Sequence, residues 1–206
     1  MKAVVFDFGG VMTASTLPER VRELVAELGI DWAAVTQGFG RYRHAYDAGD
    51  ITIVQMYGRI WSDAGVSLPD ETTARIIAAD RASWLARNER TLAWMRALKA
   101  EGRTIGILTN MAPDFAPLFK THFADFIALA DAMVISGLER MHKPNRDIYD
   151  LLRARIGLPA DELVFIDDVP ENCEGARAAG WHAICFKDNA QVEAEFASTY
   201  ARENML

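Results

Sequence analysis

Ala3-Val4-Val5-Phe6-Asp7-Phe8-Gly9-Gly10-Val11-Met12 carries a short apolar run that stops at an acid and then turns through two glycines. Such a run fits a strand covered on both faces. Its end delivers the Asp7 carboxylate to the carboxyl edge of a sheet, where open α/β folds bind ligands. Two places on, where a second acid could assist the first, stands Gly9.

Working outward from this stretch, further short apolar runs recur at Thr104 to Leu108, Ala132 to Ile135, Leu163 to Ile166 and Ala183 to Phe186. Helical patterns lie between them, such as Leu92, Met95 and Leu98 before Gly102, and Ile148, Leu151 and Leu152 before Gly157. Alternation of this kind predicts a doubly wound α/β core with a parallel sheet. From about Ser15 to Arg87 the rhythm breaks into four consecutive helical patterns. The first starts at Pro18 and carries Val21, Leu24, Val25 and Leu28; the second begins at Asp31 and carries Val35, Phe39, Tyr42 and Tyr46. The third opens on Thr52 and Gln55, spaced as a capping box, and the fourth runs through Ile76, Ile77 and Trp84. We therefore expect a Rossmann-like core of residues 1–15 and 87–206, with an α-helical cap, 16–86, inserted above the strand ends and hinged near Ser15 and Arg87.

The chain has 206 residues, 50% hydrophobic and 25% charged, enough for one substantial core. A net charge of -7 and a pI near 5.1 oppose broad attraction to nucleic acid or an anionic membrane and favour a small-molecule partner. The start reads as a strand rather than a signal peptide, and no apolar run approaches the ~18 residues of a membrane span, so a cytoplasmic protein is expected. Cys173 and Cys185 match no metal or redox spacing and read as free thiols.

Two further strand ends and one helix start carry polar groups. Ile105 to Leu108 runs into Thr109-Asn110, a hydroxyl and an amide that can donate to phosphate oxygens, although the pair is also an ordinary turn and helix start. His142-Lys143-Pro144 precedes a helix beginning near Asn145; it either places a point charge at the site or is a solvated lysine. Leu163 to Ile166 ends in Asp167-Asp168, two adjacent acids whose repulsion a cation relieves. Parallel strand ends converge on one crevice. Together these groups form a nucleophile, phosphate donors, a lysine and a metal-binding acid pair, a set suited to phosphoryl transfer.

The ordered set FDFGGVM, LTN, Lys143-Pro144 and FIDDVPEN resembles the haloacid dehalogenase superfamily across essentially the whole chain. Its DDxxEN form, with glycine in the first motif, is similar to the bacterial branch of sugar-phosphate phosphatases. The resemblance implies that Asp7 forms an aspartyl phosphate while Thr109 and Lys143 hold phosphoryl oxygens. It further implies that Asp7, the Gly9 carbonyl and Asp167 ligate Mg²⁺, with Asp168 as a direct or indirect partner. Asn110 is expected on phosphate or substrate, and Asn172 in ordering the last motif's loop.

Most phosphatases of this superfamily carry an acid where Gly9 stands. Losing general acid–base help costs about 10²- to 10⁴-fold. The proton must come from water, the substrate or the cap, with His44 and His142 as candidates. Two alternatives stay open: a metal-free 2-haloacid dehalogenase using Asp7, and a catalytically weak phosphate-binding protein; a phosphosugar mutase fits less well. The expected substrate is a small phosphorylated metabolite such as a sugar phosphate. Its choice is expected to rest with the helical insert, where Arg41, Tyr42, Arg43, His44 and Tyr46 cluster on one helix.

Overall fold

A computed structural model describes residues 1–14 and 19–200. The hinge expected near Ser15 and the helix start expected at Pro18 lie outside the described residues. The elements in chain order are β1 (Ala3–Phe6), α1 (Glu19–Glu27), α2 (Trp32–Asp47), α3 (Ile53–Asp63), α4 (Asp70–Ser83) and α5 (Glu89–Ala100). Next come β2 (Thr104–Thr109), α6 (Ala116–His122), α7 (Ala124–Ile127), β3 (Ala132–Ile135), α8 (Ser136–Glu139) and α9 (Arg146–Ile156). The chain continues through β4 (Leu163–Asp167), α10 (Pro170–Ala178), β5 (His182–Cys185) and α11 (Asn189–Tyr200).

Among the described residues, β1 to β5 form one all-parallel sheet in the order β3-β2-β1-β4-β5. The chain winds outward from β1 to β3 and then crosses back to the other side of β1. That reversal opens a crevice at the carboxyl ends of β1 and its neighbours. Register aligns those ends, since Phe6 pairs with Ile107 of β2 and with Ile166 of β4.

Successive strand residues point to opposite faces, and both faces are covered, which is why the runs are apolar without alternation. Val4, Phe6, Ile105, Ile107, Val164 and Ile166 pack in one buried cluster with residues of α5, α6 and α11. Val5, Leu108 and Phe165 pack on the other side with Ile148, Tyr149 and Leu152 of α9 and with Trp181. No described helix is long and apolar enough to cross a membrane.

Helices α1 to α4 gather around a buried cluster of their own, including Val21, Val35, Met56, Tyr57, Ile60 and Ile76. Their starts obey local chemistry: Asp31 accepts from Ala33 N–H, and Thr52 and Gln55 form the full reciprocal capping box. Leu28, expected on the apolar stripe of α1, lies beyond the helix end and is exposed. Where the chain returns to the sheet, Thr13 bridges Arg87 and Ala14 N–H donates to the Ala86 carbonyl at 2.7 Å. Asn88 Nδ2 and Thr91 Oγ1 both donate to the Val11 carbonyl, at 3.0 and 2.9 Å, fixing this root against the loop after β1.

Candidate active site

The site assembles from the ends of β1, β2 and β4 and from the loop that leads into α9. β4 stops at Asp167, which is fully buried. Its Oδ1 accepts from Val169 N–H at 2.8 Å and from Asn172 Nδ2 at 3.1 Å; its Oδ2 accepts from Lys143 Nζ at 2.6 Å and again from Asn172 Nδ2 at 3.1 Å. Pro170 opens α10, so Asn172 sits in its first turn and reaches back to the acid. Asn172 therefore orders the motif, as expected.

Lys143 lies at the centre. Its Nζ is 2.8 Å from Asp7 Oδ1, donates to the Leu108 carbonyl at 3.2 Å, and stands 5.1 Å from the centre of the Phe165 ring. Burial works to lower this ammonium's pKa, and Asp167 and Asp7 more than offset it, so the pKa stands above its ordinary value. Asn110 holds the lysine in place: its Oδ1 accepts from Lys143 N–H at 2.9 Å and its Nδ2 donates to the Lys143 carbonyl at 3.1 Å.

Asp7 follows β1, with its N–H donating to the Ile166 carbonyl at 2.9 Å. Burial, with Asp167 and Asp168 nearby, pushes its carboxyl up to about 7 against the lowering pull of Lys143. Burial and then Asp167 likewise raise Asp168. Gly10 turns the chain at φ +67°, and a Cβ there would stand 2.3 Å from Asp168 Oδ2. Only glycine allows both the left-handed turn and the approach of that carboxylate.

Carboxylate oxygens of Asp7, Asp167 and Asp168 all lie within 4.8 Å of one another. Three acids face one ammonium, which stands 2.8 Å from Asp7 Oδ1 and 2.6 Å from Asp167 Oδ2. An excess of hard carboxylate oxygens over the one ammonium fits a divalent cation such as Mg²⁺.

A cavity of about 400 Å³ opens above this floor. One wall comes from the core and includes Phe8, Gly9, Asn110, Met111, Phe115 and Val169; the other comes from α2 to α4 and includes Arg43, Tyr46, Asp47, Asp80, Arg81 and Trp84. A Cβ on Gly9 would meet Trp84 Cζ3 at 3.2 Å, so an indole from the helical wall covers the place where an acid would project.

A profile of the haloacid dehalogenase-like hydrolases matches residues 1–180. The chain belongs to that family. It is 28% identical over 189 residues to a sesquiterpene phosphatase of Aspergillus oryzae, covering 91% of each chain. A haloacid dehalogenase family enzyme from Bacteroides thetaiotaomicron, in complex with magnesium and inorganic phosphate, shares the fold with a TM-score of 0.72 and 20% identity over 93% of this chain and 98% of that one. An L-2-haloacid dehalogenase from Xanthobacter autotrophicus shares it with a TM-score of 0.62 and 19% identity, covering 97% and 84%.

In this haloacid dehalogenase-like hydrolase the residues expected from sequence divide. Asp7, Gly9, Asn110, Lys143, Asp168 and Asn172 line the cavity, and Asp167 lies directly beneath it. Asn110, expected on phosphate or substrate, has both ends of its amide on the Lys143 backbone, where two hydrogen bonds hold it. Thr109 is buried at the end of β2 and is not among the lining residues. His44 and His142 pack edge to face, 3.7 Å between ring centres, and neither lines the cavity as a proton donor would. Of the cluster on α2, Arg41 and Tyr42 both turn to Asp63, while Arg43 and Tyr46 reach the cavity. Trp84, Asp47 and Asp80 were not expected there, because their helical spacing reads as a packed face and only the seating of the helices reveals what that face meets.

Proposed function

We propose that this hydrolase is a Mg²⁺-dependent phosphatase of small phosphate monoesters, acting through Asp7 beneath a helical cap built on α1 to α4. The observation that carries the reading is the convergence of Asp7, Asp167 and Asp168 within 4.8 Å, with Lys143 Nζ 2.8 Å from Asp7 and 2.6 Å from Asp167. The phosphatase relative and the fold shared with a magnesium- and phosphate-bound enzyme support it. The two free cysteines accord with a cytoplasmic setting.

Asp7, Asp167, the Gly9 carbonyl and Asp168 would hold the cation, which when bound neutralises charge on the phosphoryl oxygens. Asp7 attacks phosphorus, forming the Asp7 oxygen–phosphorus bond as the ester oxygen–phosphorus bond breaks; the ester oxygen leaves with its electron pair and takes a proton from water. A second water then attacks phosphorus, giving up its proton to solvent, and phosphate leaves as the carboxylate is regenerated. Lys143 neutralises charge gathering on the phosphoryl oxygens. Gly9 supplies no proton, so esters with more acidic leaving alcohols are favoured.

Dehalogenation is the other reading that the fold permits. Halide departs as an anion, and a cluster of three carboxylates around the nucleophile opposes it, whereas a phosphate dianion brought in with a divalent cation fits. Phosphate release from a panel of esters, with Mg²⁺ and with chelator, separates the two. Chloride release from 2-chloropropionate under chelator, with no phosphate released, would favour the dehalogenase.

A further inference from the structure

We infer that the ester this site takes has an apolar body, a hydrocarbon or aromatic alcohol rather than a polyol. The inference rests on the phosphatase reading for the phosphate end and on the cavity wall for the rest. Phe8, Tyr46, Ile53, Trp84, Met111 and Phe115 supply the surface above the catalytic floor, and Val169 stands at the same cavity with 39% of its surface exposed.

Each charged group on that wall already has a partner within the protein. Arg43 Nε donates to both oxygens of Asp47, at 2.9 and 3.0 Å, and its guanidinium lies 4.8 Å from the Trp84 ring centre and 5.6 Å from that of Tyr46. Asp80 accepts from the Tyr57 hydroxyl at 3.0 Å on one oxygen and from Trp84 Nε1 at 3.3 Å on the other. Tyr46 donates its hydroxyl to Asp114 at 2.8 Å, and Arg81 pairs with the other oxygen of Asp114 at 3.1 Å. One buried donor on this wall, Arg81 Nε, has no hydrogen-bond partner. It and the Nη groups of Arg43, whose bonds to Asp47 run through Nε, can serve oxygens close to this wall; the rest of the surface is ring and aliphatic, so hydroxyls on the other faces of a sugar would go unmet, which opposes binding.

Turnover of hexyl, geranyl and phenyl phosphates against glycerol phosphate and glucose phosphorylated at its primary hydroxyl tests the inference with Mg²⁺ present. Hexyl, geranyl, glycerol and primary glucose phosphates all release alkoxides, so their comparison isolates the body from the leaving group. We expect kcat/KM at least about tenfold higher for hexyl or geranyl phosphate than for glucose phosphate. Equal or higher kcat/KM on glucose phosphate overturns the inference and leaves the phosphatase reading standing. In Phe115→Ala the ratio of geranyl to glycerol phosphate turnover should fall severalfold; an unchanged ratio in a folded variant counts against the proposed wall. Should no ester be hydrolysed, the phosphatase reading fails and calorimetric titration of Asp7→Asn with the same esters and Mg²⁺ decides the inference alone. Tighter binding of geranyl or phenyl phosphate than of glucose phosphate supports it, with the tighter of the two telling chain from ring. Equal binding, preference for glucose phosphate, or no binding of any ester overturns it.

Discussion

At the floor of the cavity one ammonium, Lys143, is shared by two buried carboxylates with a third nearby, whereas on the helical wall Arg43 has Asp47 and Arg81 has Asp114. The floor holds surplus negative charge and is completed by a cation and the phosphate it brings. The wall pairs both its guanidiniums with acids, holds Asp80 through the neutral donors of Tyr57 and Trp84, and presents rings and aliphatic groups to whatever enters. Within one cavity the chemistry is therefore charge-driven at the bottom and shape-driven at the side.

The largest effect expected of this contrast is on the floor. Asp7→Asn should cost roughly a thousandfold or more in phosphate release, because no other group on the floor is placed to replace the nucleophile. Comparable rates in the variant and the wild type would leave only a binding role. Lys143→Met removes the charge that two buried acids share; in chelated protein we expect a loss of about 3 kcal/mol or more, a fall in melting temperature on the order of 10 °C. A melting temperature unchanged by that substitution would show the floor to be no more strained electrostatically than the wall.

Gly9 sits where floor and wall meet and can sharpen the comparison. Restoring an acid by Gly9→Asp alone should help little, since Trp84 stands 3.2 Å from the new Cβ and is held by Asp80 and by Arg43. Gly9→Asp with Trp84→Ala should exceed the single variant by about tenfold or more on esters with poor leaving groups. If the single variant gains as much, the indole yields readily and the wall is softer than its hydrogen bonds imply.

A smaller effect concerns pH. An acid with a raised folded pKa keeps its proton longer in the folded state, so stability is lost as pH rises through the window between the unfolded and folded values. For Asp7 that window runs from 3.8 to about 7. Chelated wild type should lose stability across it, and Asp7→Asn should lose less; parallel melting curves for the two would contradict the assignment. Smallest of all, Asn110→Ala removes two hydrogen bonds from the Lys143 backbone and should cost about 1 to 2 kcal/mol of stability with a modest fall in kcat.

Much of this was legible in the chain and some was not, for reasons that lie in particular residues. Apolar runs ending in Asp7, Thr109 and Asp167 announce strands because a strand covered on both faces has no polar side. The Thr52 and Gln55 capping box gives α3 its start because cap chemistry is local. An amide at the end of β2 reads as a contact for phosphate or substrate, and Asn110 does line the cavity; its two bonds to the Lys143 backbone are invisible in the chain because they join residues 33 positions apart. Helical spacing marked Tyr42 and Tyr46 as neighbours on a face, yet one turns to Asp63 and the other to Asp114 and the cavity.

By itself the sequence determined which groups are available: a nucleophilic acid, a lysine, an acid pair, and no acid at Gly9. It determined the strands that carry them as well, because burial and backbone preference act through neighbouring residues. Only the tertiary structure decided that three carboxylates converge on one ammonium, and that Trp84 lies over Gly9 on a wall whose charged groups are held by hydrogen bonds. Contacts of that kind join residues far apart in the chain, and the seating of whole helices against the sheet sets them, which no local pattern encodes.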